Sequence, residues 1–181
     1  MGHASSPEQG TQEATLLRAA RAGDMQAFSA LYRMHARSLY SLALRLSGDP
    51  QTAEDLTHDA FLKAMRMLAS LRPGQPMRPW LNKVVANAFI DQIRKQRRLV
   101  LMDDVDAGCS VQPLNEEHAE TDALLRRLPA VARTVLWLHE VEGWSHKELA
   151  ARFRQSESWS KSMLSRALAR LRQELEQEQD R

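Results

Sequence analysis

The chain is poor in cysteine, and that sets the first limits. Cys109 is its sole thiol, so no internal disulfide can form, and its 6 histidines lie without cysteine partners at zinc-ligand spacing. No structural metal and no cofactor are expected. Long apolar runs are missing as well: none approaches the ~20 residues of a membrane span, and the opening MGHASSPEQGTQEA lacks the charged and apolar segments of a signal peptide. The expectation is a cytoplasmic protein without membrane insertion. Aromatic residues make up 6% of the 181, against 43% hydrophobic in all, which suits helices packed through Leu, Ala and Met. No convincing strand pattern is present. The length suits one ordinary domain or two small ones.

What the chain does have is charge, and its order says more than the net +2. Over residues 63–98, Lys63, Arg66, Arg72, Arg78, Lys83, Arg94, Lys95, Arg97 and Arg98 are opposed only by Asp91. Over residues 99–122 the sign inverts, with Asp103, Asp104, Asp106, Glu116, Glu117, Glu120 and Asp122 and no lysine or arginine. It turns positive again at Arg126 and Arg127, stays so through Arg172, and reverses in the tail at Glu174, Glu176, Glu178 and Asp180. Two basic blocks flanking an acidic connector fit a polyanion held at two places.

Apolar periodicity places the helices. Gly23-Asp24 reads as a helix stop followed by a cap, and Phe28, Leu31, Tyr32, Leu39, Leu42, Ala43 and Leu46 keep a helical period up to Ser47-Gly48. Asp49 then caps a helix with Pro50 at its first position and a stripe of Ala53, Leu56, Ala60, Phe61, Met65 and Leu68. Prolines 73, 76 and 79 with Gly74 interrupt residues 71–79, after which Trp80, Leu81, Val84, Val85, Ala88 and Ile93 begin a third strong helix ending in the basic run 94–98. Residues 99–119 have no period and contain Gly108, Ser110 and Pro113, as a mobile linker would. Extended, such a linker reaches about 70 Å at ~3.3 Å per residue, more than one DNA turn. A short helix over 121–128 and another over 129–142 follow.

Residues 145–172, SHKELAARFRQSESWSKSMLSRALARLR, read as a helix-turn-helix. Ser145 and Glu148 form a capping box, and Leu149, Ala150 and Phe153 supply an inward face. The break falls at Arg154-Gln155. Ser156 or Ser158 caps the second helix, whose Leu164, Leu168 and Leu171 point one way while Lys161, Arg166, Arg170 and Arg172 remain outside, where phosphates would meet them. The plain alternative is an amphipathic helical pair with solvated arginines.

Across roughly residues 22–174 the chain resembles the extracytoplasmic-function (ECF) sigma factors of bacterial RNA polymerase, in the sigma-70 family. GDPQTAEDLTHDAFLKA over 48–64 is similar to the family's polymerase-binding helix, matching at Ala53, Glu54, Asp55, Leu56, Phe61 and Leu62. LRPGQPMRPWLNKVVANAFIDQIRKQRR over 71–98 resembles its promoter-melting loop and helix, matching at Arg72, Arg78, Trp80, Leu81, Asn87, Asp91 and Arg94. LPAVARTVLWLHEVEGWSHKELAARF, with Lys161, Ser162, Leu164, Arg166, Ala167, Leu171 and Arg172, resembles its minus-35-reading domain. The chain departs at Arg154, where many members carry glycine, at Ser160, where a small apolar residue usually packs and Trp159 stands beside it, and at Met77, where an aromatic is common.

The resemblance implies an all-α protein of two small helical domains joined by a flexible acidic linker, the second carrying the helix-turn-helix. The expected boundaries are an N-terminal extension and helix start over 1–21, a region 2-like domain over 22–98, the linker over 99–119, a region 4-like domain over 120–175 and an acidic tail over 176–181. It implies a non-catalytic subunit that docks on core RNA polymerase, reads promoter DNA and answers to an anti-sigma factor. Polymerase contact falls to Glu54, Asp55, Leu56, Asp59, Phe61 and Leu62, with Leu56, Phe61 and Leu62 packed partly beneath. Minus-10 contact falls to Arg72, Met77, Arg78, Trp80, Lys83, Asn87 and Arg94, with the core the preferred place for Trp80 and Asp91 paired to Arg94 or Lys95. Minus-35 contact falls to Glu157, Ser158, Lys161 and Ser162 at base edges and Arg166 and Arg170 at phosphates. The acidic linker and tail either cover these faces in the free protein or serve as a solubilising spacer.

Two other readings stand beside this one. A helix-turn-helix regulator without polymerase docking explains the second domain alone and predicts a dimer on a symmetric site. An Asp55-x-x-His58 pair with Glu54 suggests half of a carboxylate metal site in a helical bundle, but the second half is missing and His118 and His139 do not supply it.

Overall fold

The computed structural model describes residues 7–70, 76–99 and 119–179, and every regular element among them is helical. Four α-helices build the first half: α1 (Pro7–Arg21), α2 (Met25–Ser47), α3 (Pro50–Met67) and α4 (Met77–Leu99), with a 3-10 turn at Leu68–Ser70 after α3. The second half holds α5 (Ala119–Arg126), α6 (Ala130–Glu140), α7 (His146–Phe153) and α8 (Glu157–Gln179). The expected linker lies almost wholly outside the described residues, as does most of the 71–79 interruption.

The helix boundaries follow from local chemistry. Asp24 caps α2 by accepting the N–H groups of Gln26 at 2.8 Å and Ala27 at 3.1 Å. Gly48 ends it in the left-handed region at φ 73°, donating to the Leu44 carbonyl at 2.7 Å. One residue later Asp49 starts α3, accepting from the Thr52 N–H at 2.8 Å and the Thr52 hydroxyl at 2.6 Å. Those bonds hold the Asp49 carboxyl below its usual range. The segment before Gly23 forms a full helix of its own, and its Leu17 and Ala20 are buried.

Helix α2 is the axis of the first half, packing against α1, α3 and α4. Leu31, Leu39 and Leu46 of α2 meet Ala53, Leu56, Ala60 and Phe61 of α3, and Leu81, Val85 and Ile90 of α4 close the core. In the second half α8 packs on both α6 and α7, burying Val135, Leu138, Leu149, Phe153, Leu164 and Ala167. Each leucine or phenylalanine buried this way contributes about 1.5–3 kcal/mol. The apolar stripes therefore decide the packing, while the caps decide where each helix starts and stops.

Two residues of the expected apolar stripes face outward instead. Tyr32 is 42% exposed and Met65 equally so. The period identifies a helix face, but at its edge the side chain runs past the neighbouring helix into solvent.

Candidate protein and nucleic-acid interfaces

Helix α3 turns an acidic side outward. Glu54, Asp55 and Asp59 are exposed, Leu56 and Phe61 are buried beneath them, and Leu62 is 38% exposed at the edge. The Tyr32 ring rests on Phe61 with centroids 4.5 Å apart, extending the apolar ground beside the carboxylates. Between α2 and α3 lies an open groove lined by Tyr32, Ala36, Arg37, Tyr40, Glu54, Asp55, Thr57 and His58. Burial, then the negative charges of Glu54 and Asp49, push the Tyr40 phenol above its ordinary range and keep it a neutral hydrogen-bond donor. Tyr40, Arg37 and His58 were not among the expected contacts. For Tyr40 the signal was available in the helical spacing of Tyr32, Ala36 and Tyr40 along α2, which sets the three on one face. Among the described residues no group of 3 or more His, Cys, Asp or Glu is arranged to hold a metal ion.

Helix α4 carries the expected minus-10 residues, in differing situations. Arg72 lies outside the described residues. Met77 is a core residue, 1% exposed, because the first turn of α4 tucks it inward, so its side chain offers no surface to a nucleic acid. Trp80 is half-buried and packs against the core; Arg78, Asn87 and Arg94 are also half-buried, while Lys83 is exposed. Asn87, Asp91 and Arg94 share one face, and Asp91 accepts from Arg94 at 3.1 Å.

A side chain from the second half crosses that face. Arg152 of α7 donates through Nε to the Asn87 side-chain oxygen, and through Nη2 to the Asn87 carbonyl at 3.2 Å and to Asp91 at 2.9 Å. Nearby, Asn82 donates to Glu142 at 2.8 Å. The group that covers Asn87 is thus a cation from α7; the acidic linker expected to provide cover lies outside the described residues.

A deeper contact joins the halves at the end of α2. Arg133 of α6 is only 5% exposed, and its guanidinium donates to the Leu46 carbonyl at 3.1 and 3.2 Å, to Ser47 at 2.9 Å and to Leu128 at 3.4 Å. A cation set among the last carbonyls of a helix meets the negative end of its dipole. Gly48 makes room for it, since a Cβ there would stand 2.9 Å from Arg133 Nη2. Arg45 pairs with Asp122 at 2.8 Å and lies 4.8 Å over the Trp137 ring.

Among the described residues, nothing covers the outward face of α8. Glu157, Ser158, Lys161, Ser162, Arg166 and Arg170 are all exposed and repeat at helical spacing. The turn before it is built as a helix-turn-helix requires. Ser145 and Glu148 form the capping box, with the Ser145 N–H donating to Glu148 at 2.9 Å, and those bonds hold the Glu148 carboxyl below its ordinary range. Ser156 caps α8 by accepting the Trp159 N–H at 3.1 Å. Ser160 is the inward residue, fully buried and 3.0 Å from His146 Nδ1, whereas Trp159 leans on Phe153 with ring centroids 5.2 Å apart. His146 stacks on His139 at 4.2 Å; burial, the neighbouring imidazole and Lys161 all lower its pKa.

An acidic, partly apolar helix face in one helical unit and a basic helix-turn-helix face in another make a two-module protein with one surface suited to a basic protein and one to DNA. Two family models match in that order: Sigma-70 region 2 over residues 31–99 and Sigma-70, region 4 over residues 118–171. The ECF sigma factor SigM of Mycobacterium tuberculosis H37Rv is 32% identical over 161 residues, covering 88% of this chain and 82% of its own. SigM of Bacillus subtilis is 30% identical over 78% of this chain and 91% of its own. SigE of Mycolicibacterium smegmatis is 33% identical over 137 residues, and there the match spans about half the relative, 53% of its length. The chain belongs to the ECF RNA polymerase sigma factors. Among solved structures, the sigma factor RpoE in complex with the anti-sigma factor NepR from Bartonella quintana matches with a TM-score of 0.56 at 26% identity, covering 84% of this chain and 98% of that one. CnrH in complex with the cytosolic domain of CnrY matches with a TM-score of 0.54 at 25% identity, over 91% and 97%.

Proposed function

We propose that this chain is a promoter-specificity subunit that directs core RNA polymerase to two promoter elements and supports strand separation, with no chemistry of its own. The observation that carries the reading is the pairing of unlike faces on one chain. The acidic side of α3 suits a basic protein surface, and the uncovered basic side of α8 suits DNA. Glu54, Asp55 and Asp59 meet the polymerase, with Leu62 beside them and Leu56 and Phe61 supporting the helix from below. Arg78, Trp80, Lys83, Asn87 and Arg94 serve the minus-10 element, and Arg72 joins them from the preceding segment. Glu157, Ser158, Lys161 and Ser162 read the minus-35 element, and Arg166 and Arg170 hold its phosphates. On this division residues 22–98 and 120–175 form the two working units, joined by 99–119.

No helix among the described residues is long and apolar enough to cross a membrane. The reading places the chain in the cytoplasm, where its polymerase is. The matched RpoE structure is a sigma factor in complex with an anti-sigma factor, which supports a dedicated anti-sigma partner for this chain, released by an envelope or environmental signal. Arg152 engages Asn87 and Asp91, which supports a reading in which α4 is available to the promoter only after Arg152 withdraws.

Run-off transcription with purified core polymerase across a promoter library tests this. The chain should be required for transcripts, and only a subset of templates should respond. Unchanged initiation on every template overturns the reading, and a stable dimer binding a symmetric site without polymerase replaces it with the regulator alternative.

A further inference from the structure

The family resemblance assigns residues 1–21 only an N-terminal extension and the start of the first helix. In the structure α1 holds both stems of the segment between α3 and α4. At the incoming stem, Arg21 Nε donates to the Leu68 carbonyl at 3.0 Å. At the outgoing stem, Glu13 Oε1 accepts the Met77 backbone N–H at 2.7 Å. The same oxygen lies 3.1 Å from His35 Nε2 on α2, and Glu13 and His35 are each only 7% exposed. Burial by itself raises the Glu13 carboxyl, but the bonds from His35 and Met77 outweigh it and hold the group below its ordinary range, so it stays ionised at neutral pH.

The reason for this arrangement lies at the start of α4. The first N–H groups of a helix have no acceptor within it. Pro76, immediately before Met77, has no side-chain acceptor to offer, and Pro79 in the first turn brings no N–H at all. A buried Met77 N–H left unpaired costs about 1–3 kcal/mol. A carboxylate at the positive end of the helix dipole is the strongest available partner, and Glu13 supplies it from 64 residues upstream.

We propose that α1 is a positioning device for promoter melting: Glu13, steadied by His35, and Arg21 fix the two stems so that the first turn of α4 presents Arg78 and Trp80 in one orientation. This rests on the promoter-specificity reading above. Neither Glu13 nor Arg21 touches DNA; they act through Met77 and Leu68. A base leaving the duplex needs a receiving surface already in place, and a first turn that frays must be ordered during the melting step itself. The effect therefore falls on strand opening, and neither polymerase docking through α3 nor upstream binding through α8 depends on it.

The test uses the full chain with core polymerase on two templates, an ordinary duplex and the same promoter with its minus-10 element held unpaired. Glu13→Ala should slow open-complex formation on the duplex about fivefold, the equivalent of one lost helix cap. On the unpaired template it should match the unaltered chain. Glu13→Gln keeps an oxygen for the Met77 N–H and should recover most of the duplex rate. Arg21→Ala, at the opposite stem, should reproduce the duplex-only deficit, which keeps the proposal testable even where Glu13→Ala folds poorly. Equal deficits on both templates, or no deficit with either alanine variant, overturns the positioning role. An unaltered chain that gives no transcript on either template removes the promoter-specificity reading, and the positioning role with it.

Discussion

Arg154 adopts φ 55° and ψ 46°, a left-handed backbone that disfavours an L side chain by about 1–2 kcal/mol. The turn nevertheless keeps it, because in that conformation Gln155 N–H reaches the Ala150 carbonyl at 2.9 Å and closes the end of α7. Geometry needed for the helix-turn-helix thus overrides the residue's own preference. Arg154→Gly should raise stability by about 0.5–1 kcal/mol, less than the strain removed, because glycine has more freedom to lose on folding. Denaturant unfolding of the two chains measures it, and an unchanged midpoint shows that the turn carries no such strain. Residue-level features were legible where the partner is local. Asp24, Asp49 and the Ser145 capping box all act within three residues, at spacings a reader can see. Glu13 and His35 were not legible, because a tertiary cap leaves no periodic trace. Only the proline before Met77, with no acceptor of its own, hinted that one was needed.

At the scale of the element, α4 and α8 are both amphipathic helices of 23 residues, α4 basic but for Asp91 and α8 with its lysine and arginines ahead of an acidic C-terminal end, and they differ in what they show to solvent. Among the described residues, the proposed readout side of α8 packs on no other helix. Its exposed set was recoverable from spacing alone, since burial of Leu164 and Ala167 against α6 and α7 leaves one opposite face. The side of α4 was recoverable only in part: Asn87, Asp91 and Arg94 share a face as spacing requires, but Met77 turned inward and Arg152 arrived from another element. Lys161→Ala on α8 should weaken discrimination of the minus-35 sequence by on the order of 1–3 kcal/mol if its ammonium contacts a base edge. Competition binding by the polymerase complex, with consensus against scrambled upstream DNA, reads this directly. Equal losses on both would assign Lys161 to a phosphate instead.

For the whole molecule, the two-unit plan and its helical class were visible in charge order and apolar period, while the manner in which the units meet was not. Arg133 sits in a basic stretch that looks fit for DNA, but it spends its charge on the carbonyls of Leu46 and Ser47. No local pattern marks a contact across 86 or 87 residues. Removing Arg152 deletes charge-assisted bonds to Asn87 and Asp91 at a half-exposed site, so solvent screening limits the effect to about 1 kcal/mol, or roughly fivefold in the balance between closed and parted forms. Arg152→Ala should therefore enlarge the radius seen by small-angle scattering and increase polymerase-free binding to promoter DNA. A chain of unchanged dimensions and DNA affinity would show that Arg152 does not restrain the halves.

The difference in cover between α4 and α8 also has a consequence in time. On the proposed division of roles, a duplex arriving at this arrangement finds the exposed face of α8 ready and Asn87 of α4 occupied by Arg152. Recognition then has a built-in chronology. On that division, substitutions in the upstream element should alter the concentration-dependent encounter, and those in the downstream element a later, first-order isomerisation in which the guanidinium leaves Asn87.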